Sequence, residues 1–400
     1  MKSEAGLEER FHRHPAARVF GAQGEVVKPE GDMAAVIPDR PGAAALDAAL
    51  AAGALGLPFC IGGGGDLPAR GAVPMFETLT SGSSGAPRRI WRSQRSWTAS
   101  FAVNAGLFGI GLGLRVAVPG RMAQSLALYG ALEALHLGAE LHLLDGLRPD
   151  RQVAALAQRH VDVAYATPAQ LRLMLDAGGG PVPSLRLLLV GGSKLDPKAR
   201  AGLTVLFPHA DIREFYGTAE ASFITLSDAS TPEGSVGLPY PGVEINLRGP
   251  AGAHAIWVRS PYLFKGYTGD PGNAIWQDGW LSVGEIGRQE DGYLYLSGRA
   301  GRMVTVADHN VFPEEIEAFL LTLPGITRAA ALARPDPLRG HVIEAVVTGG
   351  VDTATLAACR AHFGPLKAPR RLHRIAEWPL LGSGKTDLAA LERAFLWPPS

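Results

Sequence analysis

The sequence predicts an α/β protein: a large N-terminal domain of layered α/β sheets with a β-rich subdomain, then a small α+β C-terminal domain. Three observations predict it. Between residues 113 and 225, short β-rich runs alternate with helical runs, the pattern of a layered domain around a largely parallel sheet. Between 235 and 296 the runs shorten and turns multiply. From 302 onward one helix, two strands and a final strand–helix pattern form a separate small unit. The expected division is therefore 1–300 and 301–400.

The elements follow in order. Residues 40–58, "RPGAAALDAALAAGALGLP", read as an Ala-rich helix, and the four glycines at 62–65 as a loop. "VPMFETLTSG" is a strand entering a Ser/Gly-rich stretch, "IWRS" leaves it extended, and "QRSWTASFAVNAGLFG" has the apolar spacing of a helix. The strands "LRVAVPG", "AELHLLDG", "VDVAYATP", "LRLLLVGG" and "IREFYG" are interleaved with the helices "SLALYGALEALHLG" and "PAQLRLMLDAG". "VEINLRG", "HAIWVRS", "GWLSVG" and "GYLYLSG" supply the β-rich part. "FPEEIEAFLLTLPG" opens a helix, with Pro313 in its first turn and Glu314 and Glu315 matched to the N-terminal dipole.

Composition excludes several classes. With 46% hydrophobic and 19% charged residues the chain is globular rather than disordered. Lys plus Arg balances Asp plus Glu at 38 each, so no bulk field draws nucleic acid or an anionic membrane. The start is polar and acidic, unlike a signal peptide, and no window offers the roughly 18 uninterrupted apolar residues of a membrane span. Cys60 and Cys359 fit neither a disulfide framework nor a metal cluster, which suits the cytoplasm.

"TLTSGSSGAPRR", Thr78 to Arg89, holds five hydroxyl side chains followed by fixed positive charge. Backbone N–H groups of such a loop converge on anions and the hydroxyls add donors; a flexible linker has the same composition. A Walker look-alike, "LLGSGKTDL", fails because the position of its first glycine is Pro379.

Five segments together resemble the motifs of the adenylate-forming superfamily of acyl-CoA ligases, luciferases and peptide-synthetase adenylation domains. They are "TSGSSGAPRRI", "FYGTAE", "DGWLSVGEIG", "SGRAGRMVTVADHNVFPEEIE" and "PLLGSGKTD", in the family's order from about residue 75 to 390. The resemblance implies a large adenylation domain and a small mobile one. It also implies ATP, Mg2+ and coenzyme A, and an acid that becomes an acyl-adenylate and then a thioester.

Site residues follow from the same resemblance. Thr80, Ser81, Gly82, Ser83, Ser84 and Gly85 would cradle the ATP phosphates, with Arg88 where the family usually has lysine. Gly191, Gly192 and Ser193 would lie beside the adenine. In Glu214, Phe215, Tyr216 and Gly217, Tyr216 would stack on the base. Thr218 would reach the α-phosphate, Glu220 would hold Mg2+, Glu285 would accept the ribose hydroxyls, and Arg299 would also touch the nucleotide. Lys385 would bridge the substrate carboxylate and the α-phosphate in the transition state. Gly301, at the hinge position, leaves the backbone free to rotate.

This chain also departs from the pattern. The region before the phosphate loop is shorter, so some usual packing is expected to be missing or supplied by a partner subunit, which leaves room for a homodimer. Val283 replaces a threonine, and Ala307-Asp308 replaces a glycine pair near the thiol tunnel. "PGRMAQSLALYG" carries no acid to hold an ammonium, which favours a carboxylic acid without an α-amino group. Gln124 or Ser125 stands near the family's pocket histidine. Two alternatives accompany the CoA ligase: acyl transfer to a carrier-protein phosphopantetheine, and a nucleotide-binding relative without turnover.

Overall fold

A computed structural model of the chain describes residues 10–26, 36–67, 71–80, 88–250, 253–269, 274–350, 353–381 and 386–395. These fall into two compact units: Met1–Glu244 with Val258–Leu281, and Ile245–Trp257 with Ser282–Ser400.

The first unit is built on a nine-stranded sheet. Its spatial order is Leu238–Pro239, Ser222–Leu226, Asp211–Thr218, Leu187–Val190, Val163–Ala166, Arg115–Val118, Glu140–Leu143, Val19–Gly21 and Gly24–Glu25. All neighbours from Val19–Gly21 to Asp211–Thr218 are parallel. The Val163–Ala166 and Leu187–Val190 strands are buried at every residue, as expected of parallel strands covered on both faces. The expected parallel core is thus present.

Local signals set the helices that cover the sheet. Thr167 and Gln170 form a capping box at the Pro168–Ala177 helix, and Asp196 caps Pro197–Leu206 by accepting the Ala199 N–H at 2.7 Å. Both helices carry proline in the first turn, where no amide partner is lost. The Pro149–Gln158 and Pro197–Leu206 helices continue the expected alternation of strand and helix, and the Asp-Pro pair at 196–197 is a start signal for the second.

A second sheet of the same unit runs Gly266–Thr268, Arg89–Ser93, Met75–Leu79, Cys60–Ile61 and Val36–Ile37. An aromatic core lies against it. Phe11 packs on Phe76 with centroids 4.9 Å apart, and Phe76 on Trp97 at 4.8 Å. The Phe11 N–H donates to Gln94 Oε1 at 2.8 Å, so the described N-terminal residues contribute directly to this core.

A five-stranded sheet runs Glu244–Arg248, Ala255–Arg259, Trp280–Glu290 and Ile275–Gln277, with Tyr293–Arg299 also paired to Trp280–Glu290. A further sheet runs His309–Val311, Val304–Val306, Gly340–Gly349 and Ile326–Asp336, with Arg371–Arg374 pairing parallel to Gly340–Gly349. The Pro313–Thr322 helix begins as expected, with Glu314 and Glu315 in its first turn. It packs on a core that includes Val306, Leu320, Val347 and Cys359. Among the described residues no helix is long and apolar enough to cross a membrane.

Candidate active site

The Met75–Leu79 and Arg89–Ser93 strands are antiparallel and register Leu79 opposite Arg89. The Ser/Gly-rich stretch therefore joins the ends of two paired strands. Its mouth is closed by two bonds. The Thr80 N–H donates to the Arg88 carbonyl at 2.9 Å, and the Arg88 N–H donates to Thr80 Oγ1 at 3.0 Å. Ser81, Gly82, Ser83, Ser84 and Gly85 lie outside the described residues. Below the mouth, Glu77 is wholly buried and accepts the Arg89 Nε–H at 2.6 Å and the Thr268 hydroxyl.

Two adjacent parallel strands pair with Val190 opposite Glu214; the first ends there and the second runs on to Thr218. Gly191, Gly192 and Ser193 follow one strand, and Thr218 and Glu220 the end of the other. Crevices outside the carboxyl ends of parallel strands are where open α/β sheets bind ligands. Gly191 is required by close approach: a Cβ there would sit 2.6 Å from both Cε atoms of Phe215. Phe215 packs in turn on Phe223, centroids 4.4 Å apart. The Glu214 carboxylate accepts the Leu195 N–H at 2.8 Å and pairs with Arg200, which ties the Gly191–Ser193 loop to the strand. Tyr216, half-buried, lies on this strand between Phe215 and Gly217.

The strand turns sharply after Thr218. A Cβ on Gly217 would drive into the Ser222 carbonyl, and a bulge shifts the register between Tyr216 and Gly217. Thr218 Oγ1 accepts the Ala221 N–H at 3.1 Å, an ST-type turn. Glu220 sits at the apex, held from one side by a single segment. Its carbonyl accepts the Phe264 N–H at 2.7 Å, and its Oε1 accepts the Tyr267 hydroxyl at 2.8 Å. The Arg88 guanidinium lies 5.9 Å from the Tyr267 ring centroid.

Arg92 holds the turn from behind and is 1% exposed. Its guanidinium donates to the carbonyls of Ala219 and Tyr262 and to Ser222 Oγ at 2.6 Å. Burial pulls its pKa down to about 9, with the Glu220 charge acting in the opposite direction. Sequence reasoning missed Arg92 and Tyr267. Each lies near a motif already recognised, but their roles depend on partners 127 to 170 residues away for Arg92 and 47 for Tyr267.

The helix Ser125–Leu137 starts against the Met75–Leu79 strand, where the Ser125 hydroxyl donates to the Leu79 carbonyl at 3.1 Å. Gln124 Oε1 accepts the Arg121 N–H at 3.2 Å. Further along, the wholly buried Glu133 accepts Asn104 Nδ2 at 2.8 Å and the hydroxyls of Tyr165 and Tyr129. Burial pushes its pKa up to about 7, and these three donors oppose the shift.

In the second unit Glu285 and Arg299 are cross-strand partners, with Nε 3.8 Å from Oε1. Gly301 is exposed. Its neighbour Arg302 is anchored to Glu317 at 2.7 Å, to Glu314 at 3.2 Å and to the Ala331 carbonyl at 3.0 Å. Lys385 lies outside the described residues.

The donor set suits Mg2+. Among the described residues no cluster of three or more His, Cys, Asp or Glu could cage a metal. Glu220 instead offers one carboxylate on an ordered turn, and Mg2+ is commonly held by one or two carboxylates together with substrate phosphates.

The sequence profile described as AMP-binding enzyme matches residues 67–268, and that of the AMP-binding enzyme C-terminal domain matches 315–385. The chain belongs to the AMP-binding enzyme family. As a member of that family, it is 32% identical over 324 residues to the uncharacterized acyl-CoA ligase YhfT of Bacillus subtilis (strain 168), covering 78% of this chain and 67% of YhfT. Its fold is shared with the O-succinylbenzoate coenzyme A synthetase MenE of Bacillus subtilis, solved with ATP and magnesium ion. That match has a TM-score of 0.70 and 22% identity, covering 81% of this chain and 70% of MenE. The amide bond synthetase McbA of Marinactinospora thermotolerans matches at TM-score 0.75 and 22% identity over 97% of this chain and 98% of McbA.

Proposed function

We propose that this AMP-binding enzyme activates a small carboxylic acid with ATP and passes the acyl group to coenzyme A. The acid carboxylate attacks the α-phosphorus, pyrophosphate leaves, and an acyl-adenylate forms. The thiol then attacks the acyl carbonyl and AMP leaves. Thr80, the 81–85 loop and Arg88 hold the outer phosphates. Gly191, Gly192, Ser193 and Tyr216 border the adenine, with Glu214, Phe215 and Gly217 shaping that wall. Thr218 reaches the α-phosphate. Glu220 holds Mg2+, which neutralises phosphate charge when bound. Glu285 takes the ribose hydroxyls, Arg299 touches the nucleotide, and Lys385 stabilises the charge that builds at the α-phosphate. In this reading residues 1–300 bind ATP and the acid, and 301–400 carry Lys385.

The observation that supports the reading most is the joining, within one unit, of the 80–88 loop to the Glu220 turn through Tyr267. A phosphate-binding loop and a metal-binding carboxylate must share one rigid frame if both are to engage one triphosphate.

The test is ATP consumption with a panel of carboxylic acids, with mass spectrometry for AMP, acyl-adenylate and acyl-CoA, wild type beside Lys385→Ala. AMP and acyl-CoA from one acid, lost in the variant, are expected. The match to McbA along nearly the whole of both chains favours a second reading, in which an amine takes the acyl group. Amines supplied in place of the thiol would then yield amide. Acyl-adenylate without thioester or amide would point to a carrier-protein phosphopantetheine. ATP binding without acid-dependent cleavage would mark a non-catalytic relative.

A further inference from the structure

The segment 264–268 touches both halves of the proposed triphosphate site. Its strand Gly266–Thr268 pairs with Arg89–Ser93, the strand that leaves the 80–88 loop, with Tyr267 opposite Ile90 and Thr268 opposite Arg89. The Lys265 N–H donates to the Trp91 carbonyl at 2.7 Å, and the Phe264 N–H donates to the Glu220 carbonyl at 2.7 Å. The Thr268 hydroxyl reaches buried Glu77. Tyr267 completes the bridge, with Arg88 over its ring and its hydroxyl on the Glu220 carboxylate.

A glutamate at the apex of a turn can swing its carboxylate freely unless one oxygen is held, because the terminal torsion of Glu is broad. Here Tyr267 holds Oε1; among the described residues the other oxygen takes no hydrogen bond. The ring itself is fixed against Phe264, centroids 5.0 Å apart at 70°.

Resting on the ligase reading above, we propose that Tyr267 is a positioning residue: it orients the Glu220 carboxylate for Mg2+·ATP and locks that orientation to the strand leaving the 80–88 loop. It touches neither substrate nor metal and acts through Glu220. Partners that orient a ligating group commonly change metal affinity or activity by about 10- to 100-fold when removed.

The experiment is calorimetric ATP binding, without acid, in Mg2+ and in EDTA, for wild type, Tyr267→Phe and Glu220→Gln. Tyr267→Phe removes one oxygen and keeps the ring packing, and an unchanged unfolding midpoint verifies this. Glu220→Gln removes the carboxylate charge proposed to hold Mg2+, while its amide oxygen can still accept from Tyr267, so its loss of affinity in Mg2+ should exceed that of Tyr267→Phe. Tyr267→Phe is expected to bind ATP as wild type does in EDTA and about tenfold more weakly in Mg2+. In turnover its Mg2+ requirement rises while KM for the acid stays put. Equal affinities for Tyr267→Phe and wild type in both buffers overturn the proposal. So does equal weakening in both, the mark of a merely structural residue. Wild-type affinity that ignores Mg2+ overturns the metal role of Glu220 and the proposal with it. Wild type that binds Mg2+·ATP but never forms AMP with any acid sinks the ligase reading alone, and the calorimetry still decides Tyr267.

Discussion

Gly191 and Phe215 occupy one space: the ring of Phe215 lies where any side chain at 191 would begin. The ring cannot retreat easily, because Phe223 packs on it and its own strand is paired on both sides. Gly191→Ala should therefore cost about 1–3 kcal/mol by overpacking, read as a lower urea midpoint. If Gly191 borders adenine, KM for ATP will rise more than kcat falls. Gly180→Ala, where a Cβ meets nothing within 4 Å, is the matched control and should leave both unchanged. Equal behaviour of the two variants would refute the packing argument.

Arg92 is a buried cation whose fork donates to three groups from two segments, Ala219 and Ser222 on one and Tyr262 on the other. Arg92→Met would leave the Ala219 carbonyl without its donor, and the Tyr262 carbonyl with only the Ser222 hydroxyl, 3.3 Å away. Groups of this kind cost about 1–3 kcal/mol each. We expect a loss of about 1–3 kcal/mol in denaturant unfolding. Arg92→Lys should fall between, since it keeps the charge but lacks the planar fork. A loss below about 1 kcal/mol for Arg92→Met would mean that the turn holds itself.

Much of this was legible in the sequence, and the reason is local. The parallel sheet announces itself through continuous apolar runs such as "VAYA" and "LLLV", and the loop after Leu79 through glycine and serine between two strands. Arg92, Tyr267 and Glu133 were not legible. A charged or phenolic residue in an otherwise ordinary strand or helix reads as surface, and only partners brought from far along the chain make burial tolerable. Glu214 was expected at the nucleotide from its place in the motif. Its carboxylate is bonded to Leu195 and Arg200, which spacing could not reveal.

Glu133 makes stability depend on pH. Its folded pKa is about 7 against an ordinary 4.5, so the folded state binds the proton more tightly than the unfolded chain. The groups facing it are Tyr129 on its own helix, Tyr165 and Asn104, with Tyr240 nearby; burial raises all three phenols, so none releases its proton in this range. The contribution is full below about pH 4.5, fades as pH rises toward 7, and is gone above it, on the order of 3 kcal/mol in all. Glu133→Gln should flatten this slope and be the more stable protein at pH 8. Melting temperatures from pH 5 to 8 check it; parallel curves for the two proteins would show that Glu133 does not titrate there.

The hairpin Val304–Val306 to His309–Val311 closes through Ala307 and Asp308, both at positive φ, 46° and 66°. A two-residue loop with both central residues left-handed needs a type I′ turn, which prefers Asn, Asp or Gly. Asp308 suits it, because its side chain tolerates the region; Ala307 does not, and the left-handed conformation costs an L-residue about 1–2 kcal/mol. Glycine would remove that cost but lose about 0.5–1 kcal/mol to the freedom of the unfolded chain. Ala307→Gly should therefore stabilise the protein by up to about 1 kcal/mol, and Asp308→Gly by less. Ala307→Val should destabilise it, since a β-branched side chain fits this region worst. Denaturant midpoints of the three variants order the costs, and a destabilised Ala307→Gly would mean that contacts of the alanine methyl outweigh its backbone strain.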